Sequence, residues 1–370
     1  MIAAWRWEWF KLLVKNRGLV LLGLLAAVHI LGIVFAVDVA YYQEPAAIQA
    51  QLNRYYQAYG GRLTAQTMEK IEEKNDAIAA AAQASDLAFG EFESGAITAE
   101  ELDARLADVT PLLQEQAAFR EFYSRYTYSK ESPETRYLLD LPGWESLLNP
   151  EEPDFVLFFL TILLVMLLYA ADNKQDMADL LKPTCEGYTR LFYIRLLTAA
   201  CAAILMGVLA QGFSLLKTAI YFPLEGGGAP LQSLSAYAAS PYSLTLAQGF
   251  LLGSLLRLFG LLFAGLLAAC AMELLGNPFR GGLAAFALTV IPYFAGYTDN
   301  LYLQWPYPVG FVQAFPYLAG LSVGRQQQPA GLRLLLTVLA LSLLVLALLC
   351  IAARFRYRRP YLERKGRAEA

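Results

Sequence analysis

The chain has 370 residues, 57% of them hydrophobic and 16% charged, with a formal net charge of −3 and one histidine. A soluble domain carries about a quarter charged residues. The composition therefore excludes an ordinary water-soluble protein, and the clustering of apolar residues into runs points to an all-α, polytopic membrane protein.

Residues 1–17, MIAAWRWEWFKLLVKNR, precede the first apolar run. Wound as a helix, they group Ile2, Trp5, Trp9, Leu12 and Leu13 on one side and Glu8, Lys11 and Lys15 on another. That pattern predicts an amphipathic helix in the membrane interface, with Trp5 and Trp9 as anchors at headgroup level and the lysines toward water. An elbow helix that also touches a cytoplasmic partner fits the same residues.

Span one is expected over residues 18–37 and contains His29, for which a helix-packing hydrogen bond is the expected role. Residues 38–154 form the largest soluble piece, with 22 acidic against 9 basic residues. This net charge of −13 makes nucleic acid an unsuitable partner there. Its middle is rich in Ala, Glu, Gln and Leu, which favours helix. One helix is expected over residues 64–92 after Gly60-Gly61. A second starts at the Thr98–Glu101 capping box, and Leu102, Leu106, Val109 and Leu113 give it an apolar stripe. The two make a hairpin-like arm, either a stalk or a binding surface.

Span two is expected over 155–171 and span three over 196–216. Span four is centred on 258–275. Span five is short, over 282–296 with Pro292 inside it, and span six runs over 334–353. Arg257 is expected to snorkel toward the surface and Glu273 to pair with Arg280 at the boundary of span four. Small residues four apart in that span, Gly260, Ala264 and Ala268 with Gly265 and Ala269, predict close helix packing. Cys201, Cys270 and Cys350 fall in spans and read as small buried apolar residues. With six spans, the basic N-terminal segment, the segment 172–195 and the basic tail 354–370 share one side. By the positive-inside rule that side is the cytoplasm, which puts 38–154 outside. No cleavable signal peptide is expected.

A lone histidine leaves no paired-histidine metal centre, and there is no G-x-x-x-x-G-K-[ST] loop for a nucleotide. No nucleophile elbow or Cys/His pairing argues for an enzyme. The segment ADNKQDMADLLKPTCEGYTRLFYIR, residues 171–195, is different in kind: it carries charges of both signs, Pro183 and Gly187, and is longer than a plain connection needs. Such a loop has the features of a docking element, although a solvated positive-inside loop has the same composition.

Taken together, the W-E-W-F-K-L-L-V-K-N-R stretch, the G-W-E-S-L-L segment at 143–148, Gly187, Arg190 and Arg195 before span three, and the A-P-L-Q-S-L and SPYSLT stretches at 229–234 and 240–245 resemble the membrane permease subunits of type-2 ABC exporters. The likeness covers nearly the whole chain and lies more in layout than in any one motif. Where many members have a glutamate after span two, Asp172 stands here, and Tyr188-Thr189 separates Gly187 from Arg190.

The resemblance implies a cytoplasmic (plasma) membrane location in a bacterium, with residues 172–195 as a coupling loop on a separate P-loop ATPase subunit. That partner uses the ATP, and this chain binds no cofactor or metal. Asp176, Asp179, Lys182, Glu186 and Arg190 are the candidate contacts, with Arg280 in a second inner loop. It also implies a second permease subunit, identical or not. The alternative is a membrane-anchored extracytoplasmic sensor or scaffold without transport activity.

Overall fold

The computed structural model describes residues 2–35, 45–149, 155–173, 185–295, 318–319, 321–323, 326–328 and 332–368. The described residues are helical almost throughout. α1 (Ile2–Phe10) leads through a π-helical turn, Lys11–Lys15, into α2 (Gly18–Val34), and Arg17 at φ 59° makes the corner between them. α3 (Ala46–Tyr59), α4 (Ala65–Glu93), α5 (Ala99–Lys130) and the short α6 (Pro142–Leu147) follow. α7 (Phe155–Asn173), α8 (Cys185–Tyr221), α9 (Leu246–Leu275), α10 (Pro278–Ala295) and α11 (Leu332–Ala368) build the apolar bundle. A two-stranded antiparallel pair, Leu321–Val323 with Gln326–Gln328, precedes α11.

Among the described residues, three helices are long and apolar enough to cross a membrane: Arg190–Tyr221, Leu246–Leu275 and Leu335–Arg356. A fourth is added if Ile2–Lys15 and Gly18–Val34, bent by 63°, act as one broken span. The apolar part of α7, Val156–Ala170, covers only about 22 Å at 1.5 Å per residue, which is why it falls short. α8 begins eleven residues before the expected span three, and the basic tail continues the helix of span six to Ala368 instead of forming a separate segment.

α9 is the centre of the bundle, with 61% of its apolar window buried, whereas α11 is peripheral with 17%. The spacing of small residues explains the centre. A Cβ added at Gly265 would lie 2.9 Å from Ala203 Cβ on α8, and one at Gly207 would lie 2.6 Å from the Leu258 side chain. Gly281 and Gly282, at the start of α10, are likewise pressed against Met272 and Met166. Glycine is needed at these places for want of space. Gly265→Ala should therefore lower the unfolding temperature of the detergent-solubilised chain, by about 1–3 kcal/mol in stability terms. Ala203→Gly in the same chain should return part of the loss, and no recovery would mean that the clash is taken up elsewhere.

The arm formed by α4 and α5 is an antiparallel hairpin. Thr64 Oγ1 accepts from Thr67 N–H, and Thr98 and Glu101 exchange both capping-box bonds, at 2.9 and 3.3 Å. Gly95, at φ 75°, turns the chain between them. α3, which the sequence reading did not foresee, packs on the base of the hairpin. Phe122 there is fully buried, with ring centroids 5.4 Å from Tyr55 and 5.3 Å from Tyr56.

Two carboxylates tie the helices across this base. Glu72 accepts from the Tyr123 and Tyr126 hydroxyls at 2.8 and 2.9 Å and pairs with Lys130. Glu115 accepts from Tyr55 at 2.8 Å and pairs with Lys74 at 2.9 Å. Hydrogen bonds from Lys130 and Tyr123 hold the Glu72 carboxyl below the usual range, and those from Lys74 and Tyr55 do the same to Glu115. Groups with depressed folded-state values stabilise the fold above the ordinary glutamate value of about 4.3, and lose that stabilisation as pH falls through the lower folded values. Glu145 has the opposite sign: burial raises its value against the pull of Arg125, so its contribution fades as pH rises. The near-UV tyrosine signal of the hairpin should therefore melt at a lower temperature at pH 3 than at pH 6. Glu72→Gln with Glu115→Gln should flatten that dependence.

Candidate functional site

One end of the bundle gathers the chain's N-terminus, the start of α8, the α9–α10 turn and the end of α11. The expected segment is helical, as α1 and the following turn, but of its three polar-side residues only Lys15 is exposed. Glu8 and Lys11 are buried, at 3% and 5% exposure, and form an ion pair of 2.7 Å. Trp7 (52%) and Phe10 (48%) are exposed instead. Trp5 and Trp9 meet edge to face at 6.3 Å, and Trp9 leans on the bundle core. α1 packs against α8, so Glu8 and Lys11, expected to face water, meet protein together with Leu12 and Leu13 of the expected apolar side. Asn16 Nδ2 fixes the elbow by donating to Leu167 O of α7 at 2.6 Å.

Of the candidate docking residues, Asp176, Asp179 and Lys182 lie outside the described residues. Glu186 falls in the first turn of α8. Arg190 is exposed on α8, five residues before the buried Arg195. Arg280 is exposed in the first turn of α10, where Asn277 Oδ1 accepts from the backbone N–H of Phe279 and Arg280. Arg190 and Arg280 are thus available at the surface of the helices that carry them.

The expected Glu273–Arg280 pair does not form. Gly276, at φ 63°, ends α9 in the left-handed conformation, and the chain turns into α10. Glu273 faces Arg195 of α8 instead, at 3.7 Å, with both side chains at or below 10% exposure. The Arg195 guanidinium also lies 5.7 Å from the ring of Tyr169 on α7. One buried charge pair thus joins α8 and α9, with α7 against it. In a low-dielectric interior, breaking a buried charge pair by removing one member costs about 3–5 kcal/mol. Glu273→Gln should therefore destabilise the chain strongly, whereas Arg195→Met with Glu273→Leu should melt close to the parent. Equal damage in both would mean that the pair does not act as a unit.

Nearer the hairpin, Arg257 does not snorkel. α9 starts at Leu246 under the Thr245–Gln248 capping box, which puts Arg257 about 16 Å along the helix. Its guanidinium donates to Gln211 Oε1 of α8 at 2.9 Å, and Gln211 Nε2 donates to Ser254 Oγ at 2.8 Å. His29 Nδ1 bonds Leu25 O of its own helix at 2.9 Å, and the ring stacks on Phe213 of α8 at 5.4 Å. Its contact between helices is aromatic, not the hydrogen bond expected. Cys270 is buried as expected, but Cys350, 3.5 Å away sulfur to sulfur, and Cys201 are only half-buried. Among the described residues no group of three or more His, Cys, Asp or Glu is placed to hold a metal.

At the opposite end, residues 222–245 between α8 and α9 hold the hairpin. Trp144 Nε1 donates to Glu225 O at 2.9 Å, Tyr128 OH to Gln232 O at 2.7 Å and Tyr237 OH to Leu148 O. Tyr137 N–H donates to Ser233 Oγ at 3.0 Å. Gly143 and Gly227 permit this approach: a Cβ on them would meet Pro223 O at 2.7 Å and the Trp144 ring at 2.8 Å. The G-W-E-S-L-L and A-P-L-Q-S-L stretches meet in this clamp, where Trp144 and Leu148 pack with Ala229, Leu231 and Leu234.

Comparison of the chain with family models, with curated proteins and with solved structures finds no match.

Proposed function

We propose that this chain is the permease subunit of an ATP-driven ABC exporter. In this reading it has six spans, cytoplasmic termini and residues 38–154 outside. Residues 172–195 and Arg280 bear on a separate P-loop ATPase subunit, and a second permease subunit, identical or not, completes the pathway.

The observation that carries the reading is the continuity of α8. Its 37 residues run without a break from Cys185 to Tyr221, about 55 Å. Its first eleven residues belong to the proposed docking segment, and its end leads directly into the clamp that holds the hairpin. A push on its first turns is delivered along a rigid rod. The Arg195–Glu273 pair passes that push to α9, and the Tyr221 hydroxyl, donating to Ile33 O at 2.6 Å, passes it to α2. Hydrolysis by the partner supplies the free energy, and this chain supplies only mechanical coupling. Charges of both signs at the docking segment give a contact register and partner choice.

The test is co-purification of the tagged chain from its native membrane, with ATP hydrolysis measured on the eluate. Wild type should bring down an ATPase with vanadate-sensitive activity. The triple variant Asp176→Lys, Asp179→Lys, Glu186→Lys should lose most of both while melting at the parent temperature. Full retention of the ATPase by the triple variant rejects the docking assignment, and a wild-type chain that elutes without any ATPase rejects the permease reading.

A further inference from the structure

The far tip of the hairpin has features that neither a stalk nor a coupling role requires. Phe89 and Phe92 on α4 are 46% and 41% exposed, although a chain with a built core can bury such rings. Three residues apart, they project about 60° from one another around the helix. The Glu91–Arg105 ion pair, at 2.6 Å, ties the end of α4 to the first turns of α5, the part of α5 that carries Leu102 and Leu106. Leu102 is buried and Leu106 half-buried. The two phenylalanines therefore continue the inner seam of the hairpin past the point where its own helices cover it. Single exposed apolar residues are ordinary, whereas adjacent rings along one groove mark a contact surface.

The charge around the groove says what covers it. Between residues 86 and 108 there are seven carboxylates and one basic residue, Arg105. Glu91 is taken up by Arg105 and Glu101 by the cap at Thr98. Asp86, Glu93, Glu100, Asp103 and Asp108 remain exposed on the rim. A second copy of the tip would set seven carboxylates against seven, which like-charge repulsion disfavours. An apolar groove with a single-sign rim complements a segment of the opposite sign.

We propose that the seam at the hairpin tip, between Phe89 and Phe92 of α4 and Leu102 and Leu106 of α5, binds a cationic amphipathic peptide. Its apolar side chains lie on the two rings and its lysines or arginines on the acidic rim. The assignment does not depend on transport, and its test involves no ATPase.

The test uses the full chain in nanodiscs of zwitterionic phosphatidylcholine and a fluorescein-labelled 14-residue Leu/Lys amphipathic peptide, with empty nanodiscs as the blank. Binding above the blank is expected, weakening as salt is raised. Phe89→Ser with Phe92→Ser should weaken it about 10-fold or more, the scale for losing two anchoring rings. Asp86→Lys with Glu93→Lys should weaken it too, with the hairpin's circular dichroism unchanged in both variants. The proposal is overturned if either double variant binds as wild type does, or if the matching Leu/Glu peptide binds equally. It is also overturned if Ser94→Cys chains cross-link tip to tip in preference to taking up the peptide.

Discussion

The close approach of α8 and α9 is the constraint on which the rest of the structure depends. Gly265 against Ala203, and Gly207 beneath Leu258, bring the two backbones near enough for polar side chains to meet across the seam. Arg195 then reaches Glu273 at one end and Arg257 reaches Gln211 at the other. Without the small residues, both arginines would be directed toward hydrocarbon, where a charge is costly. Packing and electrostatics are therefore one design here: the absence of side-chain volume in the middle lets the charges near the ends be satisfied.

The same economy governs the two ends of the bundle. At the end that carries the N-terminus, Glu8 and Lys11 neutralise one another beneath α1, which lets an amphipathic elbow pack on protein while Trp7 and Phe10 remain outside. At the hairpin end, backbone carbonyls of residues 222–245 accept from Tyr128, Trp144 and Gln232. A loop of that length would leave many polar groups to be satisfied by water. Here Tyr128 of the hairpin and Trp144 of α6 satisfy some of them and Gln232 of the loop another, so the loop is a joint between two bodies.

Local signals were the most legible in the sequence. The start of α4 at Thr64 and the capping box at Thr98 were readable because a cap depends on three or four adjacent residues. So was the packing role of Gly265 and Ala269, which follows from spacing within one helix. What failed required knowledge of a second element. A helical wheel separated the two faces of the N-terminal helix but could not tell that Glu8 and Lys11 would be buried as a pair against protein. The seven-residue spacing of Glu273 and Arg280 suggested neighbours on one helix face, yet Gly276 breaks the helix between them, and the true partner lies 78 positions away in sequence at Arg195. α3 went unread because its stripe is short and its burial comes from Phe119 and Phe122, far along the chain. The candidate docking residues were legible only as composition, and three of the six lie outside the described residues.

The hairpin and the bundle are joined through residues 222–245. α8 ends in the clamp and α9 begins from it, so a displacement of either helix along its axis must shift residues 222–245. Those residues are bonded to α5 through Tyr128 and to α6 through Trp144. At roughly 1.5 Å per residue, α4 extends about 44 Å, and a small tilt at its base becomes a displacement of several ångströms at its tip. Under the proposed permease function, a rigid arm of this kind would convert a change in the bundle into motion at Phe89 and Phe92. By the reciprocity of coupled equilibria, an occupant of the tip that prefers one arm position must bias the bundle toward the matching state. The polar base held by Glu72 and Glu115 is what makes the arm stiff enough for that coupling, since a hairpin held only by apolar contacts could slide along its own seam.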